Sequence, residues 1–142
     1  MKKTKIIIFV LLMALFCPMT SYAMTITSPF GWRIHPISGE RSFHTGIDIA
    51  GDMGAPIPAV WEGQVTFAGW YGGYGNVVVL YHGGTTYTLY GHCSQIYVQV
   101  GQTVKQSDTI AAVGSTGNST GPHVHLEYVK DGQYVDPMKI WE

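Results

Sequence analysis

The chemistry of this chain is concentrated in its histidines: six of them stand in 142 residues of which only 12% are charged. His123-Val124-His125 opens an alternating segment that continues Leu126-Glu127-Tyr128-Val129. On a strand, residues i and i+2 share a face, so both imidazoles point the same way and Val124 points opposite. Such a pair suits a metal ion or a water beside one, or it is simply two exposed sheet histidines. Gly121-Pro122 fixes how the chain enters the strand, and 115–121 is a stiff turn of small residues, which favours a shaped site. His44-Thr45-Gly46-Ile47-Asp48 is the second cluster. Gly46 and the β-branched Thr45, Ile47 and Ile49 disfavour a helix there. A straight strand would hold His44 and Asp48 ~13 Å apart. For the two to share one ion the chain has to bend, and Gly46 is the residue that permits it.

Together the clusters offer two histidines and a carboxylate as ligands, with another histidine to spare. Catalytic zinc uses three N/O protein ligands and keeps the fourth position for water, whereas the lack of usable cysteines argues against a structural zinc. His92, at the end of a Thr- and Tyr-rich segment, is a further candidate. Spacing alone leaves open which of His123 and His125 would be a ligand.

The elements that must position these groups read as strands and turns, with no convincing helix. Strands are expected at 24–28, 64–68, 76–81, 85–92, 96–100, 109–113 and 123–129, with 76–81 and 85–92 paired as a hairpin across Gly83-Gly84. Gly72 to Asn76 is a turn cluster, and Pro56 and Pro58 are expected to break any element near them. Glu62-Gly63-Gln64-Val65 is faintly echoed by Val100-Gly101-Gln102-Thr103-Val104, each a turn feeding a strand. With 18 glycines and 7 prolines, the composition favours a turn-rich all-β domain and excludes a coiled coil or an acidic disordered tail. Formal net charge is -1, so no strong field draws the chain to nucleic acid.

Residues 1–23 read as a signal peptide: Lys2, Lys3 and Lys5, an apolar run from Ile6 to Phe16, then Ser21-Tyr22-Ala23 before the cut. The run is short for a membrane span, which needs ~20 apolar residues. The expected organisation is a leader (1–23) and one domain (24–142), exported to the periplasm or the extracellular space, monomeric and without a stable membrane span after cleavage. Cleavage leaves Cys93 as the lone thiol, so the domain is held by its core or by a metal rather than by a disulfide.

Ser28-Pro29-Phe30-Gly31-Trp32-Arg33, His35-Pro36, His44 with Asp48, Tyr74-Gly75-Asn76, Thr88-Leu89-Tyr90-Gly91-His92, Val104-Lys105-Gln106 and Ser119-Thr120-Gly121-Pro122-His123-Val124-His125 occur in this order. In this set the chain resembles the lysostaphin-type (LytM-like) zinc endopeptidases that cut peptidoglycan cross-links, over residues 27–137. The resemblance implies packed antiparallel sheets of the duplicated-hybrid-motif kind with an active-site groove between loops. It implies Zn2+ on His44, Asp48 and His125, catalytic His92 and His123 flanking the attacking water, and peptidoglycan stem peptides as substrate. Arg33, His35 and Tyr74 are expected to line the groove, with Arg33 available either to a stem-peptide carboxylate or to a structural ion pair. Cys93 and Ser107 depart from the family, which usually carries an aliphatic residue and a glycine there, and Asp52 stands where a proline is common. Cys93 is read as a small core hydrophobe and His82 as a turn residue. A cytoplasmic sugar-phosphotransfer carrier, with similar fold and paired histidines, is disfavoured by the leader and by Asp48.

Overall fold

The computed structural model describes residues 24–142; the leader falls outside the described residues. Thirteen strands are formed: β1 (Ile26–Ser28), β2 (Gly31–Ile34), β3 (Arg41–His44), β4 (Ile47–Ala50), β5 (Pro56–Pro58), β6 (Gly63–Trp70), β7 (Asn76–Tyr81), β8 (Thr86–Cys93), β9 (Gln95–Ile96), β10 (Thr103–Val104), β11 (Thr109–Ala112), β12 (His123–Lys130) and β13 (Gln133–Val135). Gly72–Tyr74 and Pro137–Trp141 are short 3-10 turns, and among the described residues these are the only helical elements. None of these is long and apolar enough to cross a membrane.

The main sheet has eight strands in the order β1-β4-β12-β8-β7-β6-β10, with β13 added beside β12. A three-stranded sheet, β5-β11-β9, packs on one of its faces, and the two-stranded β2–β3 hairpin stands apart. All pairings are antiparallel. The core lies between the two larger sheets: Ile47, Val65, Val78, Leu80, Tyr90, Val124 and Leu126 meet Ile57, Ile110 and Ala111. Alternation along β12 therefore sorts Val124 and Leu126 into the core and His123, His125 and Glu127 onto the opposite face. Cys93 is fully buried in that core and its thiol is pushed up to about 11 by burial, as a packing residue requires.

Two expectations need correction. Pro56 and Pro58 do not break structure; they lie in β5, an edge strand, where a missing N–H leaves no ladder bond unmade. The strand expected at 96–100 is only Gln95–Ile96. Its register with β11 covers Ala111 and Ala112, one further bond runs from Tyr97 N–H to the Ile110 carbonyl (3.0 Å), and a turn closed by Gln102 N–H to the Gln99 carbonyl (3.1 Å) then leads the chain away. β2, β3, β4, β10 and β13 were not anticipated. The echoed Gly-Gln segments pair with each other: Thr103 opposes Gln64 and Val104 opposes Gly63. Ser107 takes φ 71°, the left-handed region that explains why glycine suits this position.

Gly46 does permit the bend between β3 and β4, but not through unusual dihedrals. The backbone passes so close to β12 that a Cβ there would stand 2.2 Å from the Leu126 carbonyl oxygen and 3.0 Å from the His125 ring. His82 is more than a turn residue. Its Nδ1 meets the Glu62 carbonyl and its Nε2 the Thr88 hydroxyl, both at 2.7 Å, and its ring packs on the edge of Trp61.

Two predictions follow from these contacts. Gly46→Ala forces β4 away from β12 and lowers stability by about 3 kcal/mol or more, measured by urea unfolding; an unchanged midpoint would refute the close approach. Burial lowers the His82 pKa against the opposing pull of the Glu62 carbonyl. Below about pH 6.5 the unfolded chain therefore takes up this proton first, and the folded state loses stability until its own His82 protonates. The melting-temperature gap between wild type and His82→Gln should narrow on acidification, whereas a constant gap would leave His82 without a part in acid sensitivity.

Candidate functional site

Three neighbouring strands build the site. Asp48 on β4 directly opposes His125 on β12, and His125 opposes Gly91 on β8. His44 ends β3, and the Gly46 bend brings it back over Asp48. His44 Nε2, His125 Nδ1 and Asp48 Oδ1 converge: the two nitrogens lie 3.1 Å apart, and the oxygen is 3.2 Å from His44 and 3.0 Å from His125.

The outward nitrogens fix the tautomers. His44 Nδ1 donates to the Pro29 carbonyl at 2.8 Å, which leaves Nε2 with its lone pair turned toward Asp48. His125 Nε2 donates to Glu127 Oε1 at 3.0 Å, which leaves Nδ1 with its lone pair turned the same way. Two lone pairs and a carboxylate oxygen thus face one another with no proton required between them. Burial would raise the Asp48 pKa, but the His125 and His44 rings beside it hold it well below the ordinary carboxylate range. Burial opposes charge on His125, yet Asp48 and Glu127 outweigh it and raise that pKa. The site is built to concentrate positive charge, and a mixed N/O set of three is the donor chemistry of catalytic zinc.

His92 and His123 complete the cleft. β8 carries an irregularity opposite β7, where Asn76 pairs with Cys93 but Val78 pairs with Tyr90. This puts Gly91 and His92 opposite Val77 alone, a bulge, with His92 at φ 61°. Strict alternation would have sent His92 to the core face with Tyr90. The bulge turns it toward His123 instead, with ring centroids 4.8 Å apart, while Cys93 takes the core position. His92 Nδ1 donates to the Thr116 carbonyl at 2.7 Å and His123 Nδ1 to the Gly121 carbonyl at 2.8 Å, so both keep an unprotonated Nε2. Burial lowers the His92 pKa, with the Thr116 carbonyl pulling the other way, which favours the neutral ring. His123 Nε2 is 3.6 Å from Asp48 Oδ1.

The structure also brings Arg33, His35 and Tyr74 to the cleft wall. His35 Nδ1 accepts from the Ile37 and Ser38 amides, which shapes the β2–β3 turn rather than reaching His44 or Asp48. Glu127 is the residue that sequence reasoning passed over. It is 2% exposed, and Oε1 takes Nε2–H of His125, the Tyr74 hydroxyl at 2.8 Å and the Thr45 hydroxyl. Burial would raise its pKa, but hydrogen bonds led by His125 and Thr45 hold it down, so it is an ionised carboxylate that orients the His125 ring. The period of two places Glu127 on the face of His123 and His125, but its role appears only with its partners from distant segments.

Comparison with known proteins agrees with this geometry. The chain is 46% identical over 115 residues to the DD-carboxypeptidase/endopeptidase Mpg of Neisseria meningitidis, covering 81% of this chain but 26% of that protein. It is 38% identical over 107 residues to the peptidoglycan DD-endopeptidase ShyA of Vibrio cholerae, 75% of this chain and 25% of the relative. It thus spans about a quarter of the length of these curated relatives. The catalytic domain of lysostaphin from Staphylococcus simulans superposes with a TM-score of 0.78 at 31% identity, covering 84% of this chain and 93% of that one. A zinc-containing peptidase from Vibrio cholerae superposes at 0.75 with 38% identity over 80% of this chain and 36% of its own. Residues 42–137 match the profile of peptidase family M23, and the chain belongs to that family.

Proposed function

We propose that this protein is an exported zinc endopeptidase that hydrolyses the peptide cross-links of bacterial peptidoglycan. The observation that carries the reading is the convergence of His44 Nε2, Asp48 Oδ1 and His125 Nδ1 as three unprotonated donors. His44, Asp48 and His125 would hold the ion, which when bound supplies a Lewis acid that makes water nucleophilic near neutral pH and polarises the scissile carbonyl. His92 and His123 act as a pair: the unprotonated Nε2 of one takes the proton of the attacking water, and the N–H so formed can then donate to the developing oxyanion. Tyr74, His35 and Arg33 form walls against which the substrate strand lies, open to solvent, as a polymer substrate requires. The relatives named as peptidoglycan DD-endopeptidases support peptidoglycan as substrate, and the neighbour named as an antimicrobial peptidase supports peptide-bond cleavage. The basic and apolar leader read at 1–23, followed by a domain at 24–142, supports action outside the cytoplasm.

Zinc titration tests the ligand assignment. Residues 24–142 should bind one zinc, His44→Ala should abolish both binding and wall-cleaving activity, and Glu127→Gln should stay folded with affinity weakened by about 10- to 100-fold. Stoichiometric, tight zinc in His44→Ala would overturn the assignment. The proton-handling role of His92 is tested separately. His92→Ala should keep its zinc but lose ~10²- to 10³-fold in turnover of purified cell walls; near-normal turnover would make His92 a structural residue of the bulge.

A further inference from the structure

Arg33 stands on the saddle between two cavities. One is the cleft that holds the histidines. The other, about 390 Å³, is lined by Thr27, Ser28, Thr120, Gly121 and Pro122. Arg33, Asp48 and His123 border both. Among the described residues Arg33 and Asp48 are the only fixed charges lining either space, and Asp48 Oδ1 is turned to the histidines. The Arg33 guanidinium is therefore the one cation presented to whatever enters the second cavity.

Its donors are underused. A guanidinium carries five N–H groups; Ser28 Oγ accepts from Nη1 at 3.0 Å, and Asp48 Oδ2 lies 3.6 Å from the same nitrogen. Nε is buried with no partner. A buried donor left without a partner is unfavourable. The lining around it is rich in hydroxyls, from Thr27, Ser28 and Thr120, which can donate to an anion beside the fork. A planar cation with free donors and flanking hydroxyls is the chemistry that recognises a carboxylate.

We infer that the second cavity is a carboxylate subsite, in which Arg33 binds the free carboxylate of the residue on the amine side of the scissile bond. This rests on the proposed endopeptidase reading and specifies its substrate. An α-carboxylate on that residue is two bonds from the scissile nitrogen. Arg33 reaches the centre where His44 and His125 converge through Asp48, whose Oδ2 lies 3.6 Å from Nη1 and whose Oδ1 meets both histidines. The subsite selects cross-links whose amine-side residue is acidic at that carbon, such as the D-centre of diaminopimelate joined to D-alanine, and it discriminates against the amidated form.

The test compares two purified muropeptide dimers joined by D-alanyl–diaminopimelate, one with the D-centre carboxylate free and one carrying a carboxamide there. For the zinc-loaded wild type, kcat/KM should be higher on the free acid by about 10- to 100-fold, the worth of a charge-assisted hydrogen bond. Arg33→Ala should bring the ratio close to one while retaining one zinc per chain, and Arg33→Lys should keep part of the ratio. If Arg33→Ala instead loses zinc affinity and slows both dimers equally, Arg33 only positions Asp48 and the subsite is refuted. A wild type that cuts both dimers equally well also refutes it and leaves the endopeptidase reading intact. A wild type that cuts neither dimer removes the endopeptidase reading itself, and the subsite with it.

Discussion

Two imidazole lone pairs and a carboxylate oxygen meeting within about 3 Å is an arrangement that repels itself unless a cation answers it, and most of the surrounding structure serves to hold it. Pro29 takes the far N–H of His44 and Glu127 that of His125, so neither ring can turn its proton inward. Glu127 in turn is fixed by Tyr74 and Thr45, and its burial among three donors keeps the carboxylate ionised. The register of β4 against β12 places Asp48 across from His125, and the absence of a side chain at Gly46 lets β3 return close enough for His44 to join them. Each of these contacts has little purpose without the others.

The same sheet separates stability from chemistry by face. One side of β12 contributes Val124 and Leu126 to a core closed by the three-stranded sheet, while the other side carries His123, His125 and Glu127. Because the core face is apolar and fully packed, the polar face can hold an electrostatically demanding cluster without the chain relaxing around it. The exception to plain alternation is the bulge on β8. It accepts a left-handed His92, costly for a residue with a Cβ, and gains a second imidazole pair beside the first. Strain at this position makes sense only as a means of aiming a side chain.

Membership of peptidase family M23 and the fold of the lysostaphin catalytic domain fit this division. The match covers the sheet and its cleft, and the relatives are much longer proteins, so what this chain shares with them is the catalytic scaffold. The groove walls are contributed by the β2–β3 hairpin and the turns around Tyr74 and Thr120, segments outside the central strands. Specificity within such a scaffold is set there, by loops on a rigid frame.

The order of residue types fixed much of this in advance. Period-two alternation put both imidazoles of His123-Val124-His125 on one face, and the β-branched run at 76–81 with its Gly83-Gly84 turn gave the central hairpin, because these patterns depend only on neighbours in the chain. The bend needed to bring His44 to Asp48 was also readable, since a straight strand could not do it. What alternation missed was everything set by contact between distant segments. Edge position rescued Pro56 and Pro58 as a strand, short partners cut the 96–100 strand to Gln95–Ile96, and β2 to β4 formed where local propensity was weak. The role of Glu127 was hidden because a glutamate at the third beat of a pattern says nothing until Tyr74 and Thr45, 53 and 82 residues away, are seen to bond to it. The inward turn of His92 was hidden for the same reason: a bulge is a mismatch between two strands, and neither strand records it alone.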